Sequence, residues 1–271
     1  LLVLLHHSFA PFPIQKFLTP FFLSGFFFIS GYLFVNPIKP FNPKYKFLRI
    51  IESLLIPYII FIILSTLVKS IIGGVFLDQP LQEMGRVVIA ILRGDKLWFM
   101  GSIICSELML LLLYSFNRNT KFLVVSILIS LSIWWLLKVL DVNITYWGIN
   151  TAFVSYVFLS LGVLGKRYDY IFDMIAKYKY FILSLYMVLI ATDVVFDYLS
   201  VCYAINQFNN LFVFIVFAIV GILMILLFFR YSIASSRYVM FYGKNSILVY
   251  FFCNQVIMFY YKYVPVISGF E

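Results

Sequence analysis

The chain has 271 residues, 64% hydrophobic, 21% aromatic and only 11% charged, with a formal net charge of +9 and a mean hydropathy of +1.03. A soluble globular chain is closer to half apolar with about a quarter charged, so a single water-wrapped core is excluded. Long unbroken apolar runs fit an all-α fold, a polytopic transmembrane helical bundle, and exclude the short alternating segments of a membrane β-barrel.

Taken in chain order, the apolar runs predict an N-terminal helix remnant at 1–10 and full helices at 17–35, 50–72, 97–116, 122–140, 149–165, 180–200, 210–229 and 244–263. Segment 74–96 is amphipathic, with Asp78, Glu83, Arg86 and Arg93 among apolar residues, and is expected to lie along the membrane interface. There is no soluble domain, low-complexity linker or internal repeat, so 1–271 reads as one membrane-embedded domain. The first residue, Leu1, stands inside an apolar run, which reads as the end of a helix whose beginning is missing.

Most of the cations fall in alternate connections: Lys39, Lys44, Lys46 and Arg49; Arg118 and Lys121; Lys166, Arg167, Lys177 and Lys179; Arg230, Arg237 and Lys244. The positive-inside rule puts these in the cytoplasm and puts His6-His7 and the 141–150 loop outside. Because the cations do not gather on one face, a nucleic-acid partner is not expected. Membrane lipids are the evident surroundings. Cys105, Cys202 and Cys253 are widely separated without a CxxC pair, and the only two histidines are adjacent, so neither a disulfide framework nor a metal site is expected.

Several residues suit chemistry. His6 and His7 precede the breakers Pro11 and Pro13. Histidine changes charge near neutral pH and serves well as a general base, although taken alone these residues are better explained as interfacial histidines that only hydrogen-bond a neighbouring helix. Lys46 and Arg49 lie three apart, hence on one helical face, where both could meet phosphates. Taken alone, topology and lipid headgroups also account for them. Gly25 and Gly31, with Ser24 and Ser30, read as helix-packing residues, and Trp98 as an aromatic-belt position. Glu107, Asp193 and Asp197 are acids inside apolar helices, where charge is costly and points to a cavity or a partner. They do not separate an enzyme from a proton-coupled carrier. No Gly-rich phosphate loop, GxSxG, HExxH or DxD motif is present.

The ordered pieces resemble the acyltransferase-3 family of integral-membrane O-acyltransferases. They are His7-Ser8, Phe27-Phe28-Ile29-Ser30-Gly31-Tyr32, the Lys46/Arg49 pair, Pro57-Tyr58, Leu97-Trp98-Phe99, and Gly243, Ser246, Ile247 and Tyr250. The resemblance implies transfer of an acyl group, commonly acetyl from acetyl-CoA, to a sugar hydroxyl of a surface polysaccharide or glycolipid. It implies a multi-pass protein of the bacterial inner membrane with acyl-CoA as donor and no metal. By position, His7 would be the catalytic histidine, with His6 the second choice, and Lys46 and Arg49 would meet the CoA phosphates. Glu107, Asp193, Trp98, Ser246 and Tyr250 are weaker candidates for the substrate cavity. The chain departs from the family in three places: Lys46 stands where an arginine is usual, Cys253 stands where many members have histidine, and the family's upstream arginine would precede Leu1. With ten helices usual, truncation at the N-terminus, and also at the C-terminus, is expected. The competing reading is a transporter or flippase for a lipid-linked sugar or small solute, its path lined by Glu107, Asp193 and Asp197.

Overall fold

In the computed structural model, the described residues are 12–36, 40–72, 80–94, 97–144, 146–196, 199, 201–203 and 206–232. Seven stretches among them are long and apolar enough to cross a membrane: Gln15–Phe34, Pro43–Thr66, Trp98–Phe116, Thr120–Val139, Tyr146–Arg167, Tyr170–Phe196 and Leu211–Arg230. Each matches one predicted span, and the protein is a multi-pass, all-α membrane protein. The predicted remnant 1–10 and the last predicted helix, 244–263, lie outside the described residues.

Two compact units divide the chain. One contains the described residues of Phe26–Asp169 and Cys202–Gln207. It begins within α2 (Phe22–Phe34) and continues through α3 (Pro43–Ile50), α4 (Ile56–Ile72), α5 (Pro80–Arg93), α6 (Trp98–Phe116), α7 (Thr120–Val139) and α8 (Ile149–Arg167). α8 packs along both α6 and α7, with Tyr156, Phe158 and Leu159 fully buried. The approach of α2 to α8 depends on two glycines. A Cβ on Gly31 would enter the Leu159 carbonyl, and one on Gly162 would enter the carbonyl of Phe28. Gly31 therefore packs helices, as small residues do in apolar surroundings.

The helix expected at 50–72 differs in two ways. It starts at Pro43, because Asn42 accepts a hydrogen bond from the Tyr45 amide at 3.1 Å and Pro43 occupies the first turn. It also contains a π-helical turn, Ile51–Leu55, in which the Ile56 amide reaches back to the Ile51 carbonyl. Pro57 has no amide hydrogen to offer the Ser53 carbonyl, and the helix widens by one residue there. α5 lies within the segment expected at the interface and is not among the seven spanning stretches. It exposes Met84, Val88 and Leu92 at four-residue spacing, an apolar stripe beside Arg86 and Arg93.

The other unit contains α1 (Phe12–Leu18), the first turn of α2, α9 (Tyr170–Ile175), α10 (Lys179–Phe196) and α11 (Leu211–Ser232). The span expected as one helix from 17 to 35 is broken after Leu18, where Pro20 can neither donate a backbone hydrogen bond nor clear the preceding turn. α10 packs on α11 and on α1. Tyr186 on α10 is fully buried, donates to the Phe17 carbonyl at 2.5 Å and meets Phe17 and Phe21 edge-on at 5.2 and 5.6 Å. Gly221 on α11 leaves room for the Phe21 and Tyr186 rings.

Candidate functional site

Lys46 and Arg49 both project from α3, which packs against α6, the helix that carries Glu107. Glu107 accepts a hydrogen bond from the Ser30 hydroxyl on α2 and lies within electrostatic range of both cations. One turn beyond Ser30, the Phe34 ring sits under the Lys46 ammonium, 4.6 Å from ring centroid to Nζ. Phe34, Phe41 and Tyr114 form a mutual aromatic cluster, with centroids 4.8 to 6.4 Å apart. The Arg118 guanidinium lies 5.1 Å over Phe41. Between Ser30 and Phe34 on the same helix, Tyr32 lies under Lys166 at 4.6 Å, and its hydroxyl donates to Asp169 at 2.5 Å.

The motif Phe27-Phe28-Ile29-Ser30-Gly31-Tyr32 thus contributes at three positions: Ser30 to an acid, Gly31 to helix contact and Tyr32 to a cation. A cation over an aromatic face keeps its full charge, because the ring attracts without neutralising. This end of the unit presents positive charge on an aromatic base, with the half-buried Glu107 carboxylate near the Lys46/Arg49 pair and Asp169 bonded to Tyr32. Such a surface suits a ligand with several phosphates.

Beside it, Phe47, Leu108, Leu111, Leu112, Ser115 and Phe116 line an apolar groove of about 510 Å³.

The Pro57-Tyr58 and Leu97-Trp98-Phe99 pieces converge elsewhere in the same unit. Trp147 has a left-handed backbone (φ 55°), and Gly148 follows with φ 60°. The Trp147 ring rests on Tyr58 at 5.0 Å, and its indole N–H donates to the Leu92 carbonyl at 2.9 Å. Its backbone fits against Gly94 and Gly101, while Gly148 fits against Ser102 and the Trp98 carbonyl. These contacts hold a conformation that costs a tryptophan of order 1–3 kcal/mol. Trp98 stacks on Tyr203 at 6.4 Å with ring planes 15° apart, and Phe99 meets Phe26 and Phe27 at 5.5 Å.

Asp193 belongs to the other unit. It is 1% exposed, pairs with Lys16 at 3.1 Å and accepts the Leu199 amide at 2.7 Å. Lys16 also donates to the Leu199 carbonyl at 3.4 Å. His6, His7, Asp197, Ser246 and Tyr250 lie outside the described residues. Sequence reasoning assigned Arg118 and Lys166 to topology and did not single out Phe41 or Tyr114. Only their contacts mark them, since a cation in a short polar connection looks the same whether or not a ring lies beneath it. Among the described residues, no group of three or more His, Cys, Asp or Glu side chains is placed to share a metal ion.

A family model described as an acyltransferase domain matches residues 1–270. No curated protein and no solved structure matches the chain. With the match spanning virtually the whole of a multi-pass helical bundle, the chain belongs to the acyltransferase-3 family and is a membrane acyltransferase.

Proposed function

We propose that this enzyme transfers an acetyl group from acetyl-CoA to a sugar hydroxyl of a bacterial surface polysaccharide or glycolipid, working in the inner membrane. Acyl-CoA approaches from the cytoplasmic side, which the charge pattern assigns to α3, and its phosphates dock on Lys46 and Arg49. The thioester reaches into the bundle. His7 takes the proton of the acceptor hydroxyl, the oxygen attacks the thioester carbonyl, and a carbon–oxygen bond replaces the carbon–sulfur bond. The departing CoA thiolate recovers the proton from the imidazolium. A sugar hydroxyl is a weak nucleophile until a base removes its proton, which is why a histidine is required.

The observation that supports this reading best is the cation pair on α3, with Lys46 set over the Phe34 ring and Glu107 within electrostatic range of both cations. The carrier reading draws less support. Asp193, one of the acids proposed to line its path, is paired with Lys16. Glu107 is engaged with Ser30.

The test is purified protein incubated with radiolabelled acetyl-CoA, with and without candidate glycans. Label appearing in the glycan supports the proposal. Absence of both CoA binding and transfer, with solute movement in vesicles that needs no acyl-CoA, would replace it with the carrier.

A further inference from the structure

Lys46 and Arg49 are not the only cations at this end of the unit. Among the described residues, neither they nor Arg118 and Lys166 have a carboxylate within ion-pair distance. Arg118 is set apart by how much of the fold is committed to placing it. It stands in the short turn between α6 and α7, and that turn is tied at four points. Asn117 accepts the Asn119 amide at 2.9 Å, and Asn119 accepts the Lys121 amide at 3.2 Å. Arg167, at the end of α8, donates to the Arg118 carbonyl at 2.6 Å and to the Thr120 hydroxyl at 2.7 Å.

The side chain then leaves this fixed turn and lies over Phe41, whose ring is 5.9 Å from the Phe34 ring beneath Lys46. A residue that serves only to orient the chain in the membrane needs charge on the correct side and no particular position. A guanidinium resting on a ring has its N–H groups around the plane's edge, where they can grip a phosphate bidentately.

We propose that Arg118 is a second phosphate-binding residue of the donor site and takes the 3′-phosphate of acyl-CoA, while Lys46 and Arg49 take its 5′-diphosphate. This rests on the reading of α3 as a donor site. The division follows from shape. Two cations three residues apart on one helix face match two linked phosphoryl groups. A single guanidinium on a separate element matches the isolated monoester, which has three free oxygens. Phe41 positions Arg118 without touching the ligand.

The experiment is binding of CoA and of 3′-dephospho-CoA to the purified full chain in detergent, measured calorimetrically for wild type, Arg118→Ala, Arg118→Lys and Phe41→Leu. Wild type should prefer CoA by about tenfold, the value of one strong charge-assisted contact. Arg118→Ala should bind CoA as weakly as dephospho-CoA and keep its wild-type affinity for dephospho-CoA, which also reports that the site is folded. Arg118→Lys and Phe41→Leu should retain part of the preference. An undiminished preference in Arg118→Ala, or an equal loss for both ligands, would overturn the assignment and return Arg118 to topology or to lipid headgroups. Wild type that binds both ligands alike would also overturn it while leaving Lys46 and Arg49 in place. Wild type that binds neither ligand would remove the donor site itself.

Discussion

The buried Lys16–Asp193 pair gives the sharpest stability prediction. At 3.1 Å, two unit charges attract by about 5 kcal/mol at an effective dielectric constant near 20. Much of that attraction is offset by the cost of desolvating both groups. Replacing Lys16 with Met removes the attraction and leaves the cost, because Asp193 is 1% exposed and, among the described residues, keeps the Leu199 amide as its hydrogen-bond partner. The expected loss is about 3–5 kcal/mol, which corresponds to a fall in Tm of roughly 6–20 °C for a chain of this size. Asp193→Asn should cost less, about 1–3 kcal/mol, since the amide oxygen still accepts from Leu199 and Lys16 is 12% exposed. The double change Lys16→Met, Asp193→Leu replaces the pair by apolar groups and should return close to wild type, so the coupling should be about as large as the summed losses of the Lys16→Met and Asp193→Leu single changes. Thermal unfolding of wild type, Lys16→Met, Asp193→Leu and the double variant in one detergent reads the cycle, with Asp193→Asn measured beside it. A Lys16→Met protein within about 1 kcal/mol of wild type, or additive single changes, would refute the reasoning.

Other outcomes follow from the packing and the site. His7→Ala should abolish acylation of the glycan in cells at unchanged protein level in the membrane, and undiminished acylation would remove its role as base. Gly162→Ala should destabilise by about 1–3 kcal/mol, because its Cβ meets backbone of α2. Gly85→Ala, with nothing within 4 Å of its Cβ, should instead stabilise by about 0.5–1 kcal/mol, so thermal shifts of opposite sign are expected. Glu107→Gln removes a negative charge beside Lys46 and Arg49 and should tighten CoA binding about fivefold, the effect of about 1 kcal/mol of lost repulsion. Weaker binding in a titration would show that Glu107 acts instead by orienting Lys46.

The membrane class, the seven spans within the described residues and the family were all legible in the residues themselves. Runs of about 20 apolar side chains leave the backbone no alternative to helix in lipid, and the ordered motifs survive in one dimension. The start of α3 was also written locally, in Asn42 and Pro43, and so was its π-turn, in Pro57. What sequence could not show was partnership. Ser30 and Glu107 are 77 residues apart, and Lys16 and Asp193 stand on elements brought together only by packing. Arg118 and Lys166 read alike as topology cations until the fold puts the Phe41 and Tyr32 rings beneath them. Composition and periodicity fix which segments enter the membrane, because burial of apolar surface and backbone hydrogen bonding act on each segment separately. Which polar residue meets which is decided by helix packing, and there glycines such as Gly31 and Gly162 set how closely the helices approach.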